Sequence, residues 1–307
     1  MKIRSRPSRS VLSIPGSNPR MIEKGIASAA DIAFLDLEDA VTPAAKPDAR
    51  RLVIEAINEG EWGTKPRAVR INAIGTPWFA RDLVDLVEQA GSRIDLILVP
   101  KIDSADDLRA IDRLLGSLER AKGRTSEIGI EAQIESAAGL ANVGAVAIAS
   151  PRTEALVYGP GDLFASLRMP GLDIGTRSEW DDAYGSDRTH FIMLSILTAA
   201  RAAGLRAIDG PYADFRDLDG TKASAMKSRA LGFDGKWCIH PSQIDPINEV
   251  FSPTETELAA AKDVVDAWEA SADGALVHDG VMIDAANVRM AQATLALGRL
   301  SESSNPE

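Results

Sequence analysis

Aliphatic and β-branched runs of four to eight residues recur along the chain, and between them lie amphipathic stretches long enough for a helix. Eight such runs predict strands: SVLSIP near 10–15, DIAFLDLE near 31–38, RAVRIN at 67–72, DLILVPK at 95–101, IGIEAQIE at 128–135, EALVYG at 154–159, RAIDGP at 206–211 and KWCIHP at 236–241. The intervening pattern is helical. In TPWFARDLVDLVEQAG, Thr76 is placed to cap, Pro77 sits in the first turn, and Leu83, Val84 and Val87 form an apolar stripe. In SADDLRAIDRLLGSLERA, Ser104 is the cap and Leu108, Ile111, Leu114, Leu115 and Leu118 repeat at helical spacing. Eight strand–helix units in a row predict an α/β fold closed as a (β/α)8 TIM barrel, since an open doubly wound sheet more often stops at five or six strands. Beyond the eighth strand come a helix over about 254–270, the run ALVHDGVMID and a helix over about 285–300. Asp279-Gly280 between two short apolar runs signals a type I′ hairpin. The expected organisation is therefore a barrel domain over 1–250 and a helical and hairpin extension over 251–307. The extension covers one face of a barrel, its own or a neighbouring subunit's.

Composition narrows the picture. Over 307 residues the chain is 45% apolar and 26% charged, ordinary for a soluble globular protein, and no apolar run approaches the roughly 20 residues that span a bilayer. The N-terminal MKIRSRPSRSVLSIPGS is basic, but its apolar part is short and reads as a strand rather than a signal-peptide core, so a cytoplasmic protein is expected. Cys238 is the single cysteine, which excludes an intrachain disulfide and fits a reducing compartment. A net charge of −11 argues against nonspecific nucleic-acid binding. An anionic small ligand would need a local basic patch. The best is formed by Arg4, Arg6, Arg9, Arg20 and Lys24, which on their own read first as a solvated basic tail.

In barrels of this type the chemistry sits at the C-terminal ends of the strands. Those positions are unusually polar here: Glu38-Asp39, Arg70 and Asn72, Lys101, Glu135, Asp162, Asp209 and His240. Alternation puts Glu131, Gln133 and Glu135 on one face of the fifth strand and Ala132 and Ile134 on the other. The apolar face suits packing under helices, so the polar face points into the barrel, where a carboxylate needs a cation or hydrogen bonds. Glu135 and Asp162, from adjacent strand ends, would supply two hard oxygens to Mg2+, with Mn2+ as the alternative ion, leaving positions for water and substrate. Salt bridges to Arg70 or Lys101 would equally account for the pair. In YGPGDL, the glycines Gly159 and Gly161 let the backbone pass close to a ligand and Pro160 stiffens the turn that presents Asp162. Cys238 and His240 share a strand face, as a thiol and its base would, but no orienting partner is evident and His240 reads as well as a strand terminus. With only His190, His240 and His278 in the chain, a histidine-rich zinc site is not expected.

RSVLSIPGS at 9–17, FLDLEDAV followed by Lys46 and Arg50, VRIN at 69–72, LVPK at 98–101, QIES at 133–136, YGPGDL at 158–163 and GKWCIHPSQI at 235–244 stand in one order along most of the chain. With these motifs the sequence resembles the citrate lyase β-subunit-like branch of the HpcH/HpaI aldolase superfamily, which includes malyl-CoA and citramalyl-CoA lyases. The resemblance implies a Mg2+-dependent carbon–carbon lyase acting on a β-hydroxyacyl-CoA. Glu135 and Asp162 would be the metal ligands, Glu135 also standing against the substrate, and Arg70 would hold the carbonyl or enolate oxygen. It implies an acid/base aspartate on the C-terminal segment, here Asp284, reaching a neighbouring subunit's site within a homotrimer or hexamer. Asp284 reads as well as a helix N-cap, which is compatible with catalysis. Val281 and Ala285-Ala286 stand where the family more often has a basic residue and a proline. Glu38, Asp39, Lys46 and Lys101 are expected to support the metal site, and Arg9, Arg20 and Lys24 to meet the phosphates of coenzyme A. Two rival readings keep the same residues: a (3S)-malyl-CoA thioesterase, and a citrate lyase β subunit that handles carrier-bound acyl groups within a complex. A noncatalytic binding module would leave the metal pair, Arg70 and Asp284 without a purpose.

Overall fold

The computed structural model describes residues 6–90, 93–271 and 274–303, so Arg4 lies outside the described residues. Backbone contacts divide the chain into two compact units, Met1–Asn248 and Glu249–Glu307.

The first unit is the barrel. Its strands are β1 (Ser10–Pro15), β2 (Ile32–Asp36), β3 (Arg67–Arg70), β4 (Leu96–Val99), β5 (Gly129–Ile134), β6 (Thr153–Tyr158), β7 (Arg206–Asp209) and β8 (Gly235–Cys238). They close in sequence order, every neighbouring pair is parallel, and β8 returns to β1 through Val11↔Trp237. Each expected strand is present, trimmed by a few residues where the polar end residues leave the ladder for the loops above. Parallel closure buries both strand faces, which explains the near-continuous apolar runs in the sequence. Inside the barrel, Val11, Ile32, Phe34, Ala68, Leu98, Ala155, Val157, Ile208 and Trp237 form one buried cluster. Phe34 and Trp237 pack with ring centroids 4.7 Å apart.

Alternation along β5 divides labour by depth. Glu131, fully buried, accepts a 2.9 Å bond from Arg206, whose guanidinium also reaches Glu154. Gln133 and Glu135 stand on the same face nearer the strand's C-terminal end. On β7 the inward residue at the rim is Ile208, and Asp209 binds the buried Lys236 ammonium of β8 at 2.6 Å. Asp209 is therefore not among the mouth residues.

The helix Ala105–Ala121 starts at Ser104 with a capping box to Asp107, as its sequence predicts. The helix Phe79–Gln89 starts later than expected. The Thr76 hydroxyl donates to the Ala73 carbonyl instead of capping, and the buried stripe is Leu83, Leu86 and Val87, with Val84 half-buried.

In the second unit, Thr254 caps the helix Glu255–Ala270. The hairpin β9 (Ala275–His278) and β10 (Val281–Asp284) turns through Asp279 and Gly280, both at positive φ, and the helix Ala285–Ser303 follows. Among the described residues no helix is long and apolar enough to cross a membrane.

Candidate active site

Arg70 is the fixed point of the barrel mouth. Asp36 and Arg70 are register partners on β2 and β3, so both side chains enter the barrel at one level. Arg70 Nε and Nη2 donate to the two Asp36 oxygens at 2.7 and 2.6 Å, a bidentate pair with both groups buried. The guanidinium lies over the Phe34 and Trp237 rings, 5.7 and 5.4 Å from their centroids. Burial alone would lower its pKa, but the charge and hydrogen bonds of Asp36 outweigh that and hold it above the ordinary arginine value. Its Nη1 faces Glu38 Oε2 at 3.2 Å.

Asp36 also accepts from the Glu38 and Ala40 amides, at 2.8 and 3.1 Å, which folds the chain after β2 back over the mouth. The Lys46 ammonium clamps that loop from outside by donating to the Leu37 and Glu38 carbonyls and to Asn72. Lys46 thus holds the backbone that carries Glu38 and makes no ion pair with the carboxylates themselves. Asp36 was not singled out from the sequence, although the alternation Phe34, Asp36, Glu38 is visible in FLDLE.

Glu135 follows β5, beside Gly159 at the end of β6. A Cβ on Gly159 would stand 2.5 Å from the Glu135 Cβ and 2.9 Å from Gln133 Nε2, so only glycine lets the two strand ends approach this closely. Two donors orient the carboxylate: the Lys101 amide to Oε1 at 2.7 Å and Gln133 Nε2 to Oε2 at 2.6 Å. Desolvation first, then the charge of Glu38, pushes the Glu135 pKa up to about 8; Asp162 adds to the rise, while Arg70 and the Lys101 amide oppose it. Pro160 opens the short helix Pro160–Ser166, whose first turn presents Asp162 with 45% of its side chain exposed.

Lys101 links these groups. It is one of three described non-glycine residues with positive φ, at 53°, a conformation that costs an L-residue roughly 1–2 kcal/mol. That backbone aims its amide at Glu135. Its ammonium lies 2.7 Å from Glu38 Oε1 and 3.5 Å from both Asp39 Oδ1 and Asp162 Oδ2.

Among the described residues, Asp36, Glu38, Asp39, Glu135 and Asp162 thus gather around Arg70 and Lys101, with Lys46 beneath the loop, and Asp36 already occupies the Nε and Nη2 side of Arg70. At the mouth the buried Gln133 Oε1 has no hydrogen-bond partner, and Glu38 Oε2 has only its 3.2 Å ion pair with Arg70. A donor-poor, oxygen-rich pocket of this kind suits a hard divalent cation, for which Glu135 and Asp162 are the carboxylates on the adjoining β5 and β6 ends.

The remaining candidates are placed as follows. Arg9 stands at the N-terminal end of β1, the opposite rim, with its guanidinium bound to both oxygens of buried Asp31 at 2.9 and 2.7 Å. This departs from the expected coenzyme contact, because a buried ion pair at the far end of the strand has no access to the mouth. Arg20 and Lys24 are exposed, one turn apart on the helix Pro19–Ile26 that follows β1. Cys238 is buried on the outer barrel wall, and desolvation first of all pushes its thiol up to about 12; His240 stacks on Phe215 and shares a 2.8 Å bond with Ser242. They do not form a nucleophile and base. In the second unit, Asp284 Oδ1 accepts from the Ala286 and Asn287 amides at 2.7 and 3.2 Å, a helix cap, and its carboxylate is exposed.

The family model for HpcH/HpaI aldolase/citrate lyase matches residues 9–241. An L-malyl-CoA/beta-methylmalyl-CoA lyase from Cereibacter sphaeroides is 44% identical over 297 residues, 94% of this chain and 93% of the relative. A (3S)-malyl-CoA thioesterase from the same organism is 36% identical over 302 residues, 96% of both chains. Among solved structures, CitE from Mycobacterium tuberculosis in complex with magnesium, acetoacetate and coenzyme A matches with a TM-score of 0.75 at 30% identity, covering 95% of this chain and 98% of that one.

Proposed function

The chain belongs to the HpcH/HpaI aldolase/citrate lyase family, and from that premise we propose that it is a Mg2+-dependent carbon–carbon lyase acting on a β-hydroxyacyl-CoA of the malyl-CoA or citramalyl-CoA type. The observation that carries the reading is the donor-poor cluster of carboxylates around Lys101 beside an immobilised guanidinium. Glu135 and Asp162 hold the metal, which when bound supplies Lewis acidity toward the hydroxyl and carboxylate oxygens of the substrate. In the cleavage direction the hydroxyl gives its proton to solvent water, the bond between the α and β carbons breaks, and the electron pair passes to the thioester as an enolate while an oxoacid departs. Arg70 faces that developing negative charge. Asp36 and the aromatic pair hold its Nε and Nη2 side, so the remaining guanidinium N–H groups meet the oxyanion without reorganising. The enolate then takes a proton from Asp284, which recovers it from solvent, and becomes the shorter acyl-CoA. Arg20 and Lys24, exposed on the helix after β1, would meet coenzyme phosphates.

Asp284 belongs to the second unit, and the reading has that unit pack on a neighbouring subunit of a homotrimer or hexamer and supply its proton there. A single buried cysteine and the absence of a long apolar helix among the described residues are consistent with a cytoplasmic setting. Lyase and thioesterase part at their products. With (3S)-malyl-CoA and Mg2+ the lyase releases glyoxylate and acetyl-CoA, and EDTA stops it. Malate and free CoA as the sole products would replace this reading with the hydrolytic one, and no turnover of the free CoA ester would favour a carrier-bound substrate.

A further inference from the structure

Lys101 does two separate things with one residue. Its left-handed backbone directs the amide to Glu135, and its side chain crosses the mouth to Glu38, Asp39 and Asp162. Among the described residues, Lys101 is the cation paired with Asp162. Glu135, by contrast, takes its two bonds from an amide N–H and a neutral carboxamide, so it is held in place by neutral donors. The Lys101 side chain is 38% exposed and flexible, so its ammonium can turn toward solvent.

We propose that the Lys101 ammonium is a built-in counter-ion: it neutralises the Glu38, Asp39 and Asp162 carboxylates when no metal is bound, and competes with the divalent cation for Asp162. This rests on the metal site of the proposed lyase and adds a residue that sets how tightly the metal is held. The two ways Lys101 can matter have opposite signs. If its side chain served only to hold the carboxylates in place, removing the ammonium would loosen metal binding. As a counter-ion its removal tightens binding, because a positive charge that occupies Asp162 and repels the incoming ion is gone.

Isothermal titration of the full-length protein with Mg2+ at pH 8.5 and fixed ionic strength reads the sign directly. Lys101→Asn and Lys101→Gly both accept a left-handed backbone and keep the amide donor to Glu135, while Lys101→Arg keeps the charge. Both neutral variants are expected to bind Mg2+ at least threefold more tightly than the wild type, with Lys101→Arg within twofold of it. Mg2+ should also raise the melting temperature of Lys101→Asn by more than it raises the wild type's. Equal or weaker Mg2+ binding by the neutral variants, with the wild type still binding, overturns the counter-ion role and leaves the lyase reading standing. A wild type that binds no Mg2+ overturns both.

Discussion

Burial and two neighbouring carboxylates hold the Glu135 proton up to about pH 8 in the metal-free protein, against an ordinary 4.5. As a proposed metal ligand Glu135 must be ionised, so Mg2+ would have to displace that proton. Below about pH 8, Mg2+ affinity should fall by up to tenfold per pH unit, and titrations at pH 7 in buffers of different ionisation enthalpy should report close to one proton released per ion bound. Proton release of zero at that pH would contradict a protonated Glu135 as the proposed ligand. The same shift acts on stability in the opposite sense to the usual carboxylate. Between about 4.5 and 8 the folded state keeps a proton that the unfolded chain has lost, so without metal this group makes the protein less stable as pH rises.

At the scale of the elements, strand alternation set the site. It put Glu131, Gln133 and Glu135 on one inward face of β5, and the sequence pattern alone was enough to find it. The same rule, applied to FLDLE and RAID, would have found Asp36 as the partner of Arg70 and turned Asp209 away from the mouth. Other features were beyond reach because they depend on contacts between distant segments. Nothing in LVPK announces a left-handed lysine, since glycine or asparagine is the usual marker of that conformation; Lys101 adopts it because Glu135, from the next strand, accepts its amide. Arg9 read as a contact for coenzyme phosphates beside the first strand, but the chain brings Asp31 under it at the opposite end of the barrel. Gly159 was legible as a close approach, although what approaches is a side chain of the protein itself, Glu135.

For the whole molecule, the division into a barrel unit and a C-terminal unit raises the question of where Asp284 works. In the proposed oligomer each site takes its metal ligands from one subunit and its acid/base group from another. Glu135→Gln and Asp284→Asn are each expected to be inactive alone. Mixed after dissociation and reassembly, they should regain a fraction of the wild-type turnover, from sites that join two intact halves. No recovery from verified mixed oligomers would place both groups on the same chain. All of these expectations depend on where the divalent ion sits. Anomalous diffraction at the manganese edge, from crystals grown with Mn2+ and glyoxylate, locates it most directly. The account predicts a peak within about 2.5 Å of carboxylate oxygens of both Glu135 and Asp162. A peak confined to the surface group Asp263, His278 and Asp279, with Lys101 still bridging Glu38 and Asp162, would contradict it.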